Sequence, residues 1–240
     1  TDTFLGQQVE FGAQWLHPDY KLVHRELSRY GIGTVTDAPT DRCIYPTGDG
    51  GYAAMDPADV GRRSGEVLQS LFAASEEYYP RPHEPLHRAD LLRRIADVSL
   101  RERLDSLGLS ASDRSLVVGM LENYSGGDAN TGALTSLAQW WALCGFTPDG
   151  WAAQSAARPE TGMRGLVEAI LADAQAEVRM GTTVTEVVDE GSSVLVRTAN
   201  GAEFTAPAVV MAVPVNVWRT IRFEPELSQA YAEATAEGVG

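Results

Sequence analysis

The chain has 240 residues, 44% of them hydrophobic, and carries a formal charge of −14 from 33 acidic and 19 basic side chains. Its length allows one large domain or two small ones, and its apolar share is that of a protein with a real core. The acidic balance repels phosphate backbones, so nucleic acid is not an expected partner.

In chain order, Phe4 to Trp15 reads as strand, with Val9, Phe11 and Ala13 on one face of a period-two pattern. Pro18, at a first helical position, opens a predicted helix through Tyr30 that Gly31 closes, with Leu22, Val23 and Leu27 on its apolar face. The run CIYPTGDGGY from Cys43 reads as a short hairpin. From Asp56, a cap followed by proline, the period becomes helical: Val60, Val67, Leu68, Leu71 and Phe72 recur along one face. Further helices are expected near Leu86 to Ile95, Leu100 to Leu107, Ala111 to Asn123 and Ala133 to Leu143, with Ser110 and Asp113 as a capping pair. After Thr161 a helix leads into β-rich runs: VRM, TVTEVVDE, VLVRTAN, AEFTAP and AVVMAVP. Glu190-Gly191 and Asn200-Gly201 mark turns between them. Ala208 to Val213 is almost wholly apolar and reads as a strand buried on both faces. The order strand, helical block, strand suggests a helical domain inserted into an α/β or β-rich one.

The chemistry that is missing narrows the choice. The 240 residues contain no GxGxxG, GxxxxGK[ST] or GxSxG. Lys21 is the single lysine, so any lysine-dependent step within this chain falls on it. Cys43 and Cys144 have no CxxC or His–Cys spacing, which fits a reduced, cytosol-like compartment rather than a disulfide or zinc framework. His83 and His87 are separated by Pro85, which spoils a helical metal-ligand spacing, and no metal is expected. No apolar run is long enough to span a bilayer, and the first residues lack the pattern of a secretory leader. A cytoplasmic location follows as the expectation.

Two separated signatures carry a resemblance. From Gly162 to Pro214 the order is Gly162-Met163 with Leu166, Val184 with Val187, Val194 and Val196 with Gly201, then Val209-Val210 and Ala212-Val213-Pro214. Near the front stands VEFGAQWLHP, residues 9–18. Together they resemble the flavin-containing amine oxidase family, which is similar to monoamine, polyamine and L-amino-acid oxidases. Thr161 stands where the family usually has a first glycine before Gly162-Met163.

The resemblance implies a fold of the α+β or α/β class: a partial FAD-binding domain of strands and a hairpin, with an inserted, mainly helical substrate-binding domain. Residues 1–36 and 156–213 would belong to the FAD portion, 37–155 to the helical domain, and 214–240 would return to it. It implies FAD as cofactor, an amine as substrate and dioxygen as oxidant, with hydride passing to the flavin and hydrogen peroxide released. Gly12, Ala13, Gln14, Trp15, Val184 and Pro214 are the residues placed at the cofactor, Val184 through its backbone at the adenine. Gln14 stands where polyamine-oxidase-like members carry histidine; its amide can hold substrate or water but cannot serve as a general base near neutral pH. Trp140, Trp141 and Trp151 are candidates for an amine pocket through cation–π contact, though neighbours on a helix face different ways. Both ends of the family's site, the GxGxxG unit and a lysine expected beyond Gly240, fall outside these residues, so the isolated chain is expected to hold FAD weakly and to be inactive. Uncovered apolar edges such as 208–213 would then favour self-association or a complementary chain. A non-catalytic ligand- or partner-binding module on the same fold is the alternative.

Overall fold

The computed structural model describes residues 2–10, 12, 14–36, 40–130 and 132–236. The chain divides into two compact units, Thr1–Gln175 and Ala176–Gly240. Among the described residues no helix is long and apolar enough to cross a membrane.

The first unit opens with an antiparallel hairpin, β1 (Asp2–Phe4) and β2 (Gln7–Val9), instead of one long strand. Leu5 and Gly6 between them both have positive φ, the two-residue turn that suits the twist of paired strands. Phe11 and Ala13, on which the rest of the alternating face depended, lie outside the described residues. Helix α1 runs Lys21–Arg29 and starts after Pro18, not at it. Asp19 N–H donates to His17 Nδ1 and Tyr20 N–H to the His17 carbonyl, but Tyr20, with ψ of 63°, lies outside the helical region, so helical bonding begins only beyond it. Leu27 is buried and Val23 half-buried, but Leu22 faces solvent, so the apolar stripe is narrower than expected. Gly31, at positive φ, ends the helix.

After the short strand β3 (Thr34–Val35), β4 (Cys43–Pro46) and β5 (Tyr52–Met55) form the expected hairpin. Helix α2 (Pro57–Leu71) is capped by Asp56, whose carboxylate accepts from the N–H groups of Ala58 and Asp59 at 2.9 and 3.3 Å. Then come α3 (Ser75–Tyr78), α4 (Ala89–Ile95), α5 (Leu100–Ser106), α6 (Ala111–Ser125), α7 (Leu134–Leu143) and α8 (Pro148–Ala152). Leu86, read as the start of α4, is exposed and precedes it. Ser99 and Glu102 form a reciprocal capping box on α5, and Ser110 caps α6 by accepting from Asp113 N–H at 3.0 Å. Arg103 of α5 donates to the carbonyls of Ser70 and Leu71, supplying the cation that the last turn of α2 lacks.

These helices enclose one large core, with Leu100, Leu104, Val117 and Leu121 fully buried and Phe72, Trp141 and Trp151 packed ring against ring. Strand β6 (Arg158–Pro159) pairs with β3, and α9 (Gly162–Ala174) completes the unit. Gly162 sits at positive φ. A Cβ on Gly165 would collide with Thr161 Oγ1, so a bare Cα at 165 accommodates the threonine that replaces the family's usual glycine.

The second unit is a meander, β7 (Val184–Asp189), β8 (Val194–Thr198) and β9 (Glu203–Ala206), with β10 (Arg222–Glu224) added parallel to β7, followed by α10 (Gln229–Ala236). Gly191 and Gly201 take positive φ in the expected turns. Two expected strands are not strands. Val178 to Met180 is exposed and has no strand structure, and Ala208 to Val213 is irregular chain with a bend at Val213 and Val210 88% exposed. Neither has a pairing partner among the described residues, and an apolar run becomes a buried strand only when neighbours cover it.

Glu186 ties this sheet together. Its carboxylate sits 2.6 Å from Arg197 of β8 and 2.9 Å from Arg222 of β10, and Arg197 reaches on to Glu203 of β9. The Arg197 hydrogen bond, then the charges of Arg197 and Arg222, hold the Glu186 carboxyl below its ordinary range. Its contribution is therefore complete above the unfolded-state value and is lost as pH falls through the lower folded-state value.

Two outcomes are expected. Glu186→Gln lowers the stability of the second unit at pH 7, and the variant loses less than the parent between pH 7 and pH 3.5 in urea melts followed by Trp218 fluorescence; equal pH dependence would contradict the role of Glu186. Gly165→Ala destabilises the first unit by about 1–3 kcal/mol in thermal melts, and Thr161→Gly added to it restores most of that loss.

Candidate functional site

The segment after β2 is held in place by long-range polar contacts. Glu10 accepts a hydrogen bond from the backbone N–H of Met163 at 3.0 Å, in the first turn of α9. Thr161, the N-cap of that helix, makes no capping side-chain bond, so Glu10 supplies both an acceptor and a negative charge at the helix N-terminus. Leu16 N–H donates to the Ala157 carbonyl at 2.8 Å. Gly33 and Glu160 exchange two bonds of 3.0 Å, Glu160 N–H to the Gly33 carbonyl and Gly33 N–H to the Glu160 carboxylate. At the far end of α9, Asp173 accepts from Tyr30 at 3.0 Å and from Arg29. Leu16, Leu27 and Leu166 form a small second core beneath these contacts.

The result is a cavity of about 530 Å³ in the first unit. Glu10, Gly12, Gln14 and Trp15 line it from the N-terminal segment, Asn123 and Tyr124 from the end of α6, and Trp140 from α7. Tyr20, Gln154 and Met163 complete the wall. Tyr124 stands edge-on to Trp140 at 5.0 Å and edge-on to Trp151 at 5.5 Å, so a half-buried aromatic corner faces the cavity with buried rings behind it. Gln14 is half-buried, and its amide has no hydrogen-bond partner among the described residues. Burial, then the neighbouring Cys144 and Tyr124, raises the Tyr20 hydroxyl, which stays protonated.

Of the sequence-predicted residues, Gly12, Gln14, Trp15 and Trp140 come together here. Ala13 lies outside the described residues. Trp141 and Trp151 belong to the helical core, 2% and 5% exposed, one layer behind Trp140. Val184 and Pro214 belong to the second unit. Val184 opens β7 opposite Thr198, before the Glu186–Val188 stretch that pairs with β10. Pro214 precedes a 3-10 turn, its carbonyl accepting from Val217. Tyr20, Asn123, Tyr124 and Gln154 were not singled out from the sequence. They sit in no motif: α6 brings Asn123 and Tyr124 to the segment around Gln14, the 3-10 turn at Ala153–Ser155 brings Gln154, and Tyr20 lies just ahead of α1.

The lining suits a flat, uncharged ring. Aromatic faces, one free amide and the open space at Gly12, where a Cβ would meet nothing within 4 Å, are all present. Among the described residues no arginine, lysine or histidine lines this cavity. The residues therefore fit the ring end of a flavin and provide nothing for its diphosphate. Glu10 beside Tyr124 and Trp140 is also compatible with a cationic amine.

The sequence pattern of flavin-containing amine oxidoreductases matches residues 1–239. The chain is 32% identical over 241 residues to a nicotine dehydrogenase of Pseudomonas putida (strain DSM 28022 / S16), covering 99% of this chain and 50% of the relative. It is 28% identical to a pseudooxynicotine dehydrogenase of Pseudomonas sp, covering 97% of this chain and 47% of the relative. It is 25% identical to polyamine oxidase 3 of Oryza sativa subsp. japonica, covering 99% and 48%. Among solved structures, putrescine oxidase aligns with a TM-score of 0.79 at 17% identity over 98% of this chain and 54% of its own. Cyclohexylamine oxidase from Brevibacterium oxydans IH-35A aligns with a TM-score of 0.72 at 16% identity, over 95% and 52%. The chain thus spans about half the length of the curated relatives it matches. On the match along residues 1–239 and the shared fold, the chain belongs to the flavin-containing amine oxidoreductase family.

Proposed function

We propose that these residues form part of an FAD-dependent amine oxidase, with the cavity around Gln14 receiving the flavin ring and the substrate amine. The observation that carries this reading is the gathering of Gly12, Gln14, Trp15 and Trp140 around a single aromatic-walled cavity. FAD, when bound, would supply the acceptor for a hydride from the carbon bearing the amine, the proton from nitrogen going to solvent, and dioxygen would reoxidise it with release of hydrogen peroxide. The chain's own residues position and exclude. Trp15 and Gly12 border the ring, Gln14 holds the amine or a water through its amide, and Tyr124 with Trp140 shields the reacting carbon from bulk solvent. The desaturated product, an imine, then takes up one water and hydrolyses to a carbonyl compound with release of ammonia from a primary amine or of a smaller amine from a secondary one.

In the same reading, residues 1–36 and 156–213 are the FAD-binding portion, 37–155 the helical substrate-binding domain, and 214–240 its continuation. The Val184 backbone meets the adenine, and Pro214 borders the cofactor. The 240 residues alone hold FAD weakly and do not turn over, because no glycine-rich helix start among them receives the diphosphate. The exposed run at 208–213 favours self-association or a complementary chain, with a cytoplasmic location.

A panel of primary amines, polyamines and amino acids, assayed for peroxide release with the full-length gene product, tests the reading. At least one amine should be oxidised. Trp140→Ala should raise its KM about five- to thirtyfold, the range of a lost cation–π contact. Trp141→Ala should instead lower stability by about 3–5 kcal/mol. No turnover of any amine, or an unchanged KM in a folded Trp140→Ala protein, would contradict the assignment.

A further inference from the structure

The charges around the Gln14 cavity bear on which amines it admits. Among the described residues, Glu10 is the one charged side chain in the lining, and Gln14, Tyr20, Asn123 and Gln154 are polar without charge. The Glu10 carboxylate stands at the wall itself, because Oε1 accepts from the backbone N–H of Met163, another lining residue, at 3.0 Å. That neutral donor holds the carboxylate in place and leaves its formal charge at −1.

The same bond removes the usual place for an anion. At the start of α9, backbone N–H groups and the helix dipole would favour a ligand carboxylate, and Glu10 already occupies that position. The basic side chains of this region line a different cavity. A second one, of about 390 Å³, shares Tyr20, Trp140 and Gln154 with the first and is bordered by His17, Lys21 and His83, with Asp19 among them. Lys21 is the single lysine of the chain, and it is not in the first lining. Phe11 and Ala13, on either side of Gly12, lie outside the described residues and have uncharged side chains.

A ligand ammonium and a ligand carboxylate therefore meet opposite conditions. The ammonium finds Glu10 and the rings of Trp15, Tyr124 and Trp140. The carboxylate of an amino acid sits on the same carbon as the amine, so it enters with the amine, gives up its water and meets a like charge with no cation to pair it.

We infer that Glu10 is a specificity-determining residue: the cavity admits amines that carry no carboxylate and rejects amino acids. This rests on the reading of the cavity as the amine site and adds to it the class of amine.

Phenethylamine, phenylalanine and phenylalaninamide share a ring and an amine and differ in bearing nothing, a carboxylate or a neutral amide. Their binding to the full-length gene product can be measured by isothermal titration, anaerobically and with the flavin reduced beforehand, so that no turnover interferes. Phenethylamine should bind at least about thirtyfold more tightly than phenylalanine, and phenylalaninamide should recover most of the difference. Glu10→Gln keeps an acceptor for Met163 N–H and should reduce the ratio to below about fivefold, mainly by weakening phenethylamine. A merely structural loss would weaken both ligands alike and leave the ratio where it was. Three results would overturn the inference: no difference between amine and amino acid, including no detectable binding of either; rejection of phenylalaninamide as strong as that of phenylalanine; or an unchanged ratio in Glu10→Gln. If Glu10→Gln does not fold, the three ligands on the unaltered protein decide the matter. Peroxide release separates this inference from the amine-oxidising function. Oxidation of phenylalanine as fast as phenethylamine overturns the inference and leaves that function standing, whereas oxidation of no amine with the binding ratio preserved overturns the function alone.

Discussion

The hydrogen bond from Met163 N–H to Glu10 is the constraint on which the first unit's cavity depends. It joins residues 153 positions apart and caps a helix whose own N-cap offers nothing. A charged acceptor on a backbone N–H is worth on the order of 2 kcal/mol, enough to decide where a short irregular segment lies. Glu10 is fixed on one side of Gln14 and Trp15, and Leu16 is bonded to Ala157 on the other. Gln14 and Trp15 are consequently presented to Tyr124 and Trp140 by backbone contacts, and their own side chains remain free for a ligand.

The helical block does the complementary work. Its large core buries Trp141 and Trp151, and the Trp151 ring stands edge-on to both Tyr124 and Trp140. A rigid aromatic layer thus backs a polar segment. Tyr20, Trp140 and Gln154 line both this cavity and a second one that His17 and Cys144 border.

Much of this was legible in the chain order. Caps at Asp56, Ser99 and Ser110, the hairpin at Cys43 to Met55 and the helix at Gly162 are local signals, and local physics builds them. The stretch around Gln14 could be placed at a cofactor only through its resemblance, because a strand, a glycine and a tryptophan have many ordinary uses. Three readings failed for two reasons. Val178 to Met180 and Ala208 to Val213 have strand composition but no partner among the described residues, and Pro18 could start a helix but for the non-helical backbone at Tyr20. Tyr124 and Gln154 were invisible because they reach the cavity through contacts between distant segments. Thr161 shows the converse: a departure from the family pattern that looked disruptive is absorbed four residues later by Gly165.

The most direct test of the cavity's role is a titration of the 240-residue protein with FAD, followed by absorbance and by nuclear resonance of the Trp15 indole and the Gln14 amide. We expect weak binding, with a Kd above about 10 µM in the absence of a diphosphate-binding helix start, and selective shifts at Trp15 and Gln14. A protein that is yellow as purified, with stoichiometric tightly bound FAD, or binding that leaves Trp15 and Gln14 undisturbed, would contradict it.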